Sequence, residues 1–553
     1  MNRRDFLRLA SGSALVGPVA LLVACSPSAP AAPTSGATAA KATPGQTSKT
    51  SGGTLLVGMS AGNVPYPNTP PNEGAEGSRF VGFQIYNALL QLNVEQGDTT
   101  PVPGAALATK WGVGPDKLTW NFELRQGVKF HDGTDFNADA VVFQFNRLLK
   151  KDFEFYDAAS GAASISNLGT IDSFRAVDDH TVEIKTKFPD AFLPWELHTV
   201  MMPSPTAVKK WGNADYQAHA TGTGPFLMTK YVDGQVMELT PNDAYWGGRP
   251  KLDKMIVYPM PDPAARLAAF RSGEVNWAEV PPPDSVEQLK SSGNQVLFKQ
   301  YPHAIIVALN LFTEPFNNPK AREALQYAID RDKMTKDLLN GVGAPAYQWM
   351  YRGHPWFNTE FGDKYKYDPA KAKQLLADAG YSSGLKINVP YPTSGSGNMW
   401  PPPMMELMQA NFKAVGVDMT IVPLEWNNIL TMYRAGFVQP ENQKYQGMFF
   451  SPNTSAPFTM LNFTKARIQP AGCCNVFGFT DPQVEDTIGS AQAEFDQTKQ
   501  DALLSKAMGQ VAAASPALYV VHDLNLRVLA PQVKGFVQPQ SWYADFKNIT
   551  VTG

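Results

Sequence analysis

Apolar and polar residues alternate along 119–125 (Thr-Trp-Asn-Phe-Glu-Leu-Arg) and along 181–185 (Thr-Val-Glu-Ile-Lys). That period of two predicts half-buried strands. Residues 53–58 (Gly-Thr-Leu-Leu-Val-Gly) read as a further strand, and 127–134 as a strand running into an Asp132-Gly133 turn. Between 137 and 149 the spacing changes to that of a helix, with Val141, Val142, Phe145, Leu148 and Leu149 on one face. Two later helices are marked by their ends. Asn318-Pro319 opens one that Gly341 closes, with Ala321, Leu325, Ala328, Ile329, Leu338 and Leu339 as its apolar face. Asp368-Pro369 opens the other and Gly380 closes it. A polar cap, then proline, then a terminal glycine is the asymmetry a helix prefers. A third helix over 402–415 passes through Gly416 into a strand over 417–422. Strand and helix signals alternate without a short repeat, which predicts an α/β fold with mixed sheets.

The first 25 residues follow a different pattern. Arg3 and Arg4 precede a 16-residue uncharged stretch, 9–24, that ends in Leu22-Val23-Ala24-Cys25. The stretch is short for a bilayer-spanning helix, which needs about 20 apolar residues. Paired arginines and a small residue before cysteine read as a twin-arginine export signal (1–24) with a lipoprotein cleavage box. Cys25 is then the lipidated N-terminus, and the chain works outside the cytoplasm as a membrane-anchored lipoprotein facing the periplasm or cell exterior. Residues 25–52 are almost all Ser, Ala, Thr, Gly and Pro, a composition that buries too little apolar surface to order itself. They read as a disordered tether.

Length and charge add bounds. A chain of 553 residues predicts more than one domain. Its net charge is −3, and loss of the signal's three arginines and one aspartate makes that −5. Such a balance excludes a nucleic-acid partner. The histidines at 131, 180, 198, 219, 303, 354 and 522 show no metal-ligand spacing, so neither a metal nor another cofactor is expected. His131-Asp132 has the residue types of an acid–base pair, but strand neighbours point to opposite faces and the turn explains them without catalysis.

Cys473 and Cys474 are adjacent. Outside the cytoplasm thiols oxidise. The functional reading is a rigid apolar disulfide plate, with the Asn475 amide beside it. The structural reading is two buried thiols or a turn. Both stay open on sequence.

In order along the chain, four segments resemble the family 5 extracellular solute-binding proteins of bacterial ABC importers, the peptide/nickel/oligosaccharide group. They are 120–134 with 137–141; 222–226 with 242–248; 309–331; and 367–381. The resemblance covers about 53–539. It implies a two-lobed, periplasmic-binding-protein-like fold (type II, cluster C-like) with an extra subdomain in the first lobe. The expected division is lobe 1 over 53–303 with its subdomain at about 100–220, lobe 2 over 304–520, and a return to lobe 1 over 521–553. Crossings between lobes are expected near 301–310 and 519–523. The implied function is capture of a small solute, a peptide or oligosaccharide, and its delivery by a monomer to an ABC permease, with no enzymatic activity.

Peptide-binding members commonly hold the ligand's α-ammonium on an aspartate shortly before a proline. Asn453 stands about there, and no Asp or Glu occurs between Asn442 and Thr480. A buried ammonium without a carboxylate is costly, so this departure favours a neutral ligand such as a carbohydrate or a blocked peptide. Trp400, Trp426, Tyr433, Phe449 and Phe450 fall in the region that borders the family's cleft. Of these, Trp400, Trp426 and Phe450 join Asn453, Cys473, Cys474 and Asn475 as expected ligand contacts. Two competing functions are a redox protein using Cys473-Cys474 and a sensory binding protein.

Overall fold

The computed structural model describes residues 52–452, 456–470 and 472–552, leaving out the side chains of Ala163, Ile165, Ser166 and Asn167. The expected signal (1–24), Cys25, most of the tether and Asn453 therefore lie outside the described residues.

Among the described residues the largest sheet has seven strands. Its centre is the strand Thr54–Met59, parallel to Lys254–Pro259 on one side and Trp277–Glu279 on the other. The remaining pairs recorded in this sheet are antiparallel, so it is mixed. A separate four-stranded antiparallel sheet spans Ala108–Val113 to Thr181–Thr186, with the helix Ala138–Leu149 packed against it. Asn137 caps that helix, its side chain accepting from the Ala140 N–H.

The second body is built around the strand Ala304–Leu309. It pairs antiparallel with Ala517–Asp523 on one side and Gly447–Phe450 on the other. The strand is buried on both faces, because two cores sandwich it. Ile305, Val307 and Leu309 enter one core, Ala304, Ile306 and Ala308 the other. Each buried Ile, Val or Leu contributes roughly 1.5–3 kcal/mol. Beside it run the parallel strands Leu385–Pro392 and Val417–Leu424, linked by the helix Pro401–Ala414. The result is the two-lobed α/β architecture expected from sequence. The segments of the two expected crossings run side by side, Ala304 facing His522.

Two elements differ from expectation. Residues 127–134 form no strand; a single bridge joins Lys129 to Asp135, and the Asp132-Gly133 turn closes on itself through Thr134. The helix expected from Asn318 to Gly341 breaks after Ala328. Ile329 is extended and Asp330 caps a new turn by accepting from Lys333 N–H. Arg331 explains the break. Its buried guanidinium donates to the carbonyls of Gln326, Tyr365 and Tyr519, and no continuous helix would aim it there. The helix Pro369–Asp378, by contrast, has its Asp368 cap and Gly380 at φ +95° as read.

Candidate functional site

A cavity of about 670 Å³ opens between the two bodies. Such a volume suits a small-molecule ligand. One wall comes from Gly74, Ala75, Ser78, Trp542 and Tyr543, and another from the segment 159–168. The facing wall carries Ser396, Trp426, Tyr433, Phe450, Arg467 and the Cys473–Cys474 pair.

Local structure explains each placement. Trp426 is the first residue of the helix Trp426–Ala435, whose cap Glu425 accepts from the Asn427 and Asn428 N–H groups. Gly395, at φ +116°, lets the backbone lie on the Trp426 ring; a Cβ there would come within 2.6 Å of it. Phe450 ends the strand Gly447–Phe450, and its ring meets Tyr433 at 4.9 Å. Its neighbour Phe449 points the other way into the first core, as alternation along a strand requires. Cys473 and Cys474 are joined as a disulfide and half-buried on the cavity wall, with Cys474 at φ +87°. Alkylation of unreduced protein is expected to label neither cysteine, and labelling of both would refute the pairing.

Two expected contacts lie elsewhere. Trp400 packs against the first core at the start of its helix and does not line the cavity. The Gly/Ser-rich loop that carries it reaches the cleft through Ser396 instead. Asn475 is buried, and its amide is consumed locally. It donates to the Thr464 and Phe479 carbonyls and accepts from the Phe479 N–H, so it folds the loop rather than meeting a ligand. His131 and Asp132 are likewise tied into structure, to the Gly224 carbonyl and the Ser204 hydroxyl.

Sequence reasoning missed Trp542, Tyr543 and Arg467. The first two lie more than a hundred residues from Trp426, and nothing local marks them. Arg467 is marked in the sequence only by its nearness to Cys473, six residues on. The cavity wall is also not neutral. It presents Arg434 and Arg467 and no carboxylate among the described lining residues.

The two bodies touch around the cavity. The Glu76 N–H donates to Ser396 Oγ at 2.9 Å, and Asn427 Nδ2 to Glu73 Oε1 at 2.8 Å. Gln492 Nε2 donates to Asp190 Oδ1 at 3.1 Å. These bonds join segments far apart in sequence, and they describe a closed cleft.

The family model for bacterial extracellular solute-binding proteins, family 5, matches residues 102–469. The chain is a family 5 solute-binding protein. Haem-binding protein A of Haemophilus influenzae is 29% identical over 489 residues, covering 85% of this chain and 87% of that one. The dipeptide-binding protein of Escherichia coli is 28% identical, covering 84% and 89%. Among solved structures, a periplasmic binding protein of Helicobacter pylori in complex with the peptide STSA superposes with a TM-score of 0.80. It shares 25% identity, and the match covers 90% of this chain and 98% of that one. In this solute-binding protein, then, the cavity lies where two bodies close on each other.

Glu73 predicts a pH dependence for that closure. It is fully buried against Asn427, and burial pushes its carboxyl up to about 7, Glu425 and Glu76 adding to the rise while hydrogen bonds from Asn427 and Asn63 oppose it. An open cleft would return it towards the ordinary 4.5. A carboxyl raised in the closed state favours closure when protonated. The advantage is full below about 4.5, falls as pH rises towards about 7, and is flat above. Ligand affinity is expected to be weaker at pH 8 than at pH 5, by up to roughly 70-fold. Glu73→Gln should reduce that dependence in a titration series, Asp190 at the Gln492 contact carrying a part of its own.

Proposed function

We propose that this protein captures a small solute of the peptide class between its lobes and delivers it to an ABC permease. The observation that carries this reading is the cavity walled by both bodies, with hydrogen bonds between them on its rim. A ligand that contacts both walls binds the closed state better than the open one, which is what shifts such an equilibrium. The names of the relatives, a dipeptide-binding protein and a peptide complex among them, support the peptide class.

The lobes we propose are 53–303 with 521–553, and 304–520. Sheet membership supports them: the strand Arg527–Leu529 of the return segment inserts between Trp277–Glu279 and Gln295–Leu297. We further propose export through the twin-arginine signal and lipid anchoring at Cys25, supported by the residues of 1–25. No described helix is long and apolar enough to cross a membrane.

The test is a thermal-shift screen against di- to pentapeptides, oligosaccharides and Ni²⁺, followed by small-angle scattering with and without each hit. A ligand at a hundred times its dissociation constant stabilises by about 2.7 kcal/mol. A peptide hit with compaction supports the proposal. A sugar hit alone would replace the ligand class, and a hit without compaction would remove the closure mechanism.

A further inference from the structure

Arg467 is 8% exposed and borders the cavity. Its backbone is fixed by the short helical turn Lys465–Arg467 and by the Asn475 N–H, which donates to its carbonyl at 3.1 Å. Among the described residues its guanidinium has no side-chain hydrogen bond and no ion pair. A guanidinium carries five donors. Its nitrogens are not among the buried unpaired polar atoms; they open onto the cavity, where a ligand can complete them. The other buried arginines here do have partners. Arg79 binds Glu279, Arg147 binds Asp157, and Arg331 binds carbonyls.

The groups around Arg467 leave it available. Glu196 and Asp190 face it from the other lobe without reaching it. Burial holds the Glu196 carboxyl well above the usual range, and neither of its oxygens has a hydrogen-bond partner among the described residues. Asp190 is also pushed up by burial, and one of its oxygens is taken by Gln492 and the Phe192 N–H. Tyr433 lies on the same side, its hydroxyl accepting from Asn462. Burial lowers Arg467 itself, and Glu196 is the first charge that opposes the change. The second cation of the wall, Arg434, is exposed at the rim.

We propose that the cleft selects a carboxylate-bearing solute, takes its carboxylate on Arg467, and does not require a free α-ammonium. This rests on the solute-binding reading and deepens it. An Arg–carboxylate pair is charge-assisted and can be bidentate, so it supplies direction as well as affinity. No acid among the lining residues awaits an ammonium, and the sequence places none between Asn442 and Thr480. The preferred chemistry is therefore an N-acylated peptide or another organic acid, rather than a zwitterion held at both ends.

The test uses the full chain in detergent and di- to tetrapeptides of alanine and tyrosine in four forms: free, N-acetylated, C-amidated, and blocked at both ends. Glutathione and glucuronate, with its methyl ester, extend the set. Melting shifts and calorimetric titration read binding, and small-angle scattering reads closure. Acids are expected to bind with or without the acetyl group, and amides or esters roughly tenfold to a hundredfold more weakly. Arg467→Gln should remove that difference, while Arg467→Lys keeps part of it, and circular dichroism checks that both fold. Equal binding of acids and amides would overturn the inference and leave the solute-binding reading intact. Loss of binding on acetylation would also overturn it, and its disappearance in Glu73→Gln would move ammonium capture to Glu73. If no member of the set binds or compacts the protein, both readings fail.

Discussion

Gly397→Ala is expected to abolish ligand-induced closure. Gly397 sits at φ +74°, and a Cβ built on it would overlap the six-membered ring of Trp542. On the lobe division proposed above, Trp542 belongs to the return segment and Gly397 to the other lobe, so opening of the cleft is expected to relieve the clash. The backbone around it cannot yield easily. Ser396 Oγ holds the Glu76 N–H, and Asn398 Oδ1 accepts from Ser451 Oγ. Overpacking costs about 1–3 kcal/mol against the closed state, or about a 5-fold to 150-fold loss of affinity. A non-glycine residue at positive φ costs about 1 kcal/mol more in open and closed forms alike, so it lowers the melting temperature modestly and leaves affinity untouched. Calorimetry and scattering on the variant read the two quantities separately. A variant that still compacts with ligand would show that Trp542 and Gly397 do not meet in the bound state.

How much of this was legible in the sequence depended on range. Helix caps at Asn318 and Asp368 satisfy backbone groups two or three residues away, so a short window contains the whole cause. Phe450 and Trp426 were legible as cleft candidates through the family resemblance, and the structure brings both to the cavity. Trp400 falls in the same region, but the cavity is lined by Ser396 four residues earlier, and the tryptophan packs on the core. The long helix after Asn318 was also misread. Its break serves bonds from Arg331 to Tyr365 and Tyr519, and no periodicity reports partners that far away. Arg467 shows the limit most clearly. The stretch around Asn453 lacks acids, which suggested a neutral site, yet a cation eleven residues after Ala456 completes the same wall.

The second large effect is expected far from the ligand, at Glu279. This buried carboxylate ends the strand Trp277–Glu279 and holds two buried arginines. Arg79 Nη1 reaches Oε2 at 2.5 Å, Arg527 Nε lies 3.5 Å from Oε1, and Trp277 Nε1 donates to Oε1 at 2.7 Å. Arg79 extends the cluster to the cleft, since its Nε donates to the Trp542 carbonyl at 2.7 Å. It also extends it towards the lobe crossing, where Asn525 accepts from Arg79 and donates its own N–H to Asp523. Burial pushes Glu279 up, but Arg527, Arg79 and the Trp277 hydrogen bond outweigh it and hold the carboxyl below its ordinary value. Such a group contributes stability above its unfolded value of about 4.3, and loses it as pH falls through the lowered folded value. Glu279→Gln keeps the shape and removes the charge, leaving two arginines buried without their counter-ion. Breaking a buried pair in this way costs about 3–5 kcal/mol. Urea unfolding at pH 7 should show that loss as a lower midpoint, with a smaller difference at pH 3. The variant should also bind ligand more weakly once folded, because the Trp542 backbone loses a fixed partner. A variant as stable as the parent would mean that the arginines find solvent or one another's neighbours, and that the cluster does not brace the cleft.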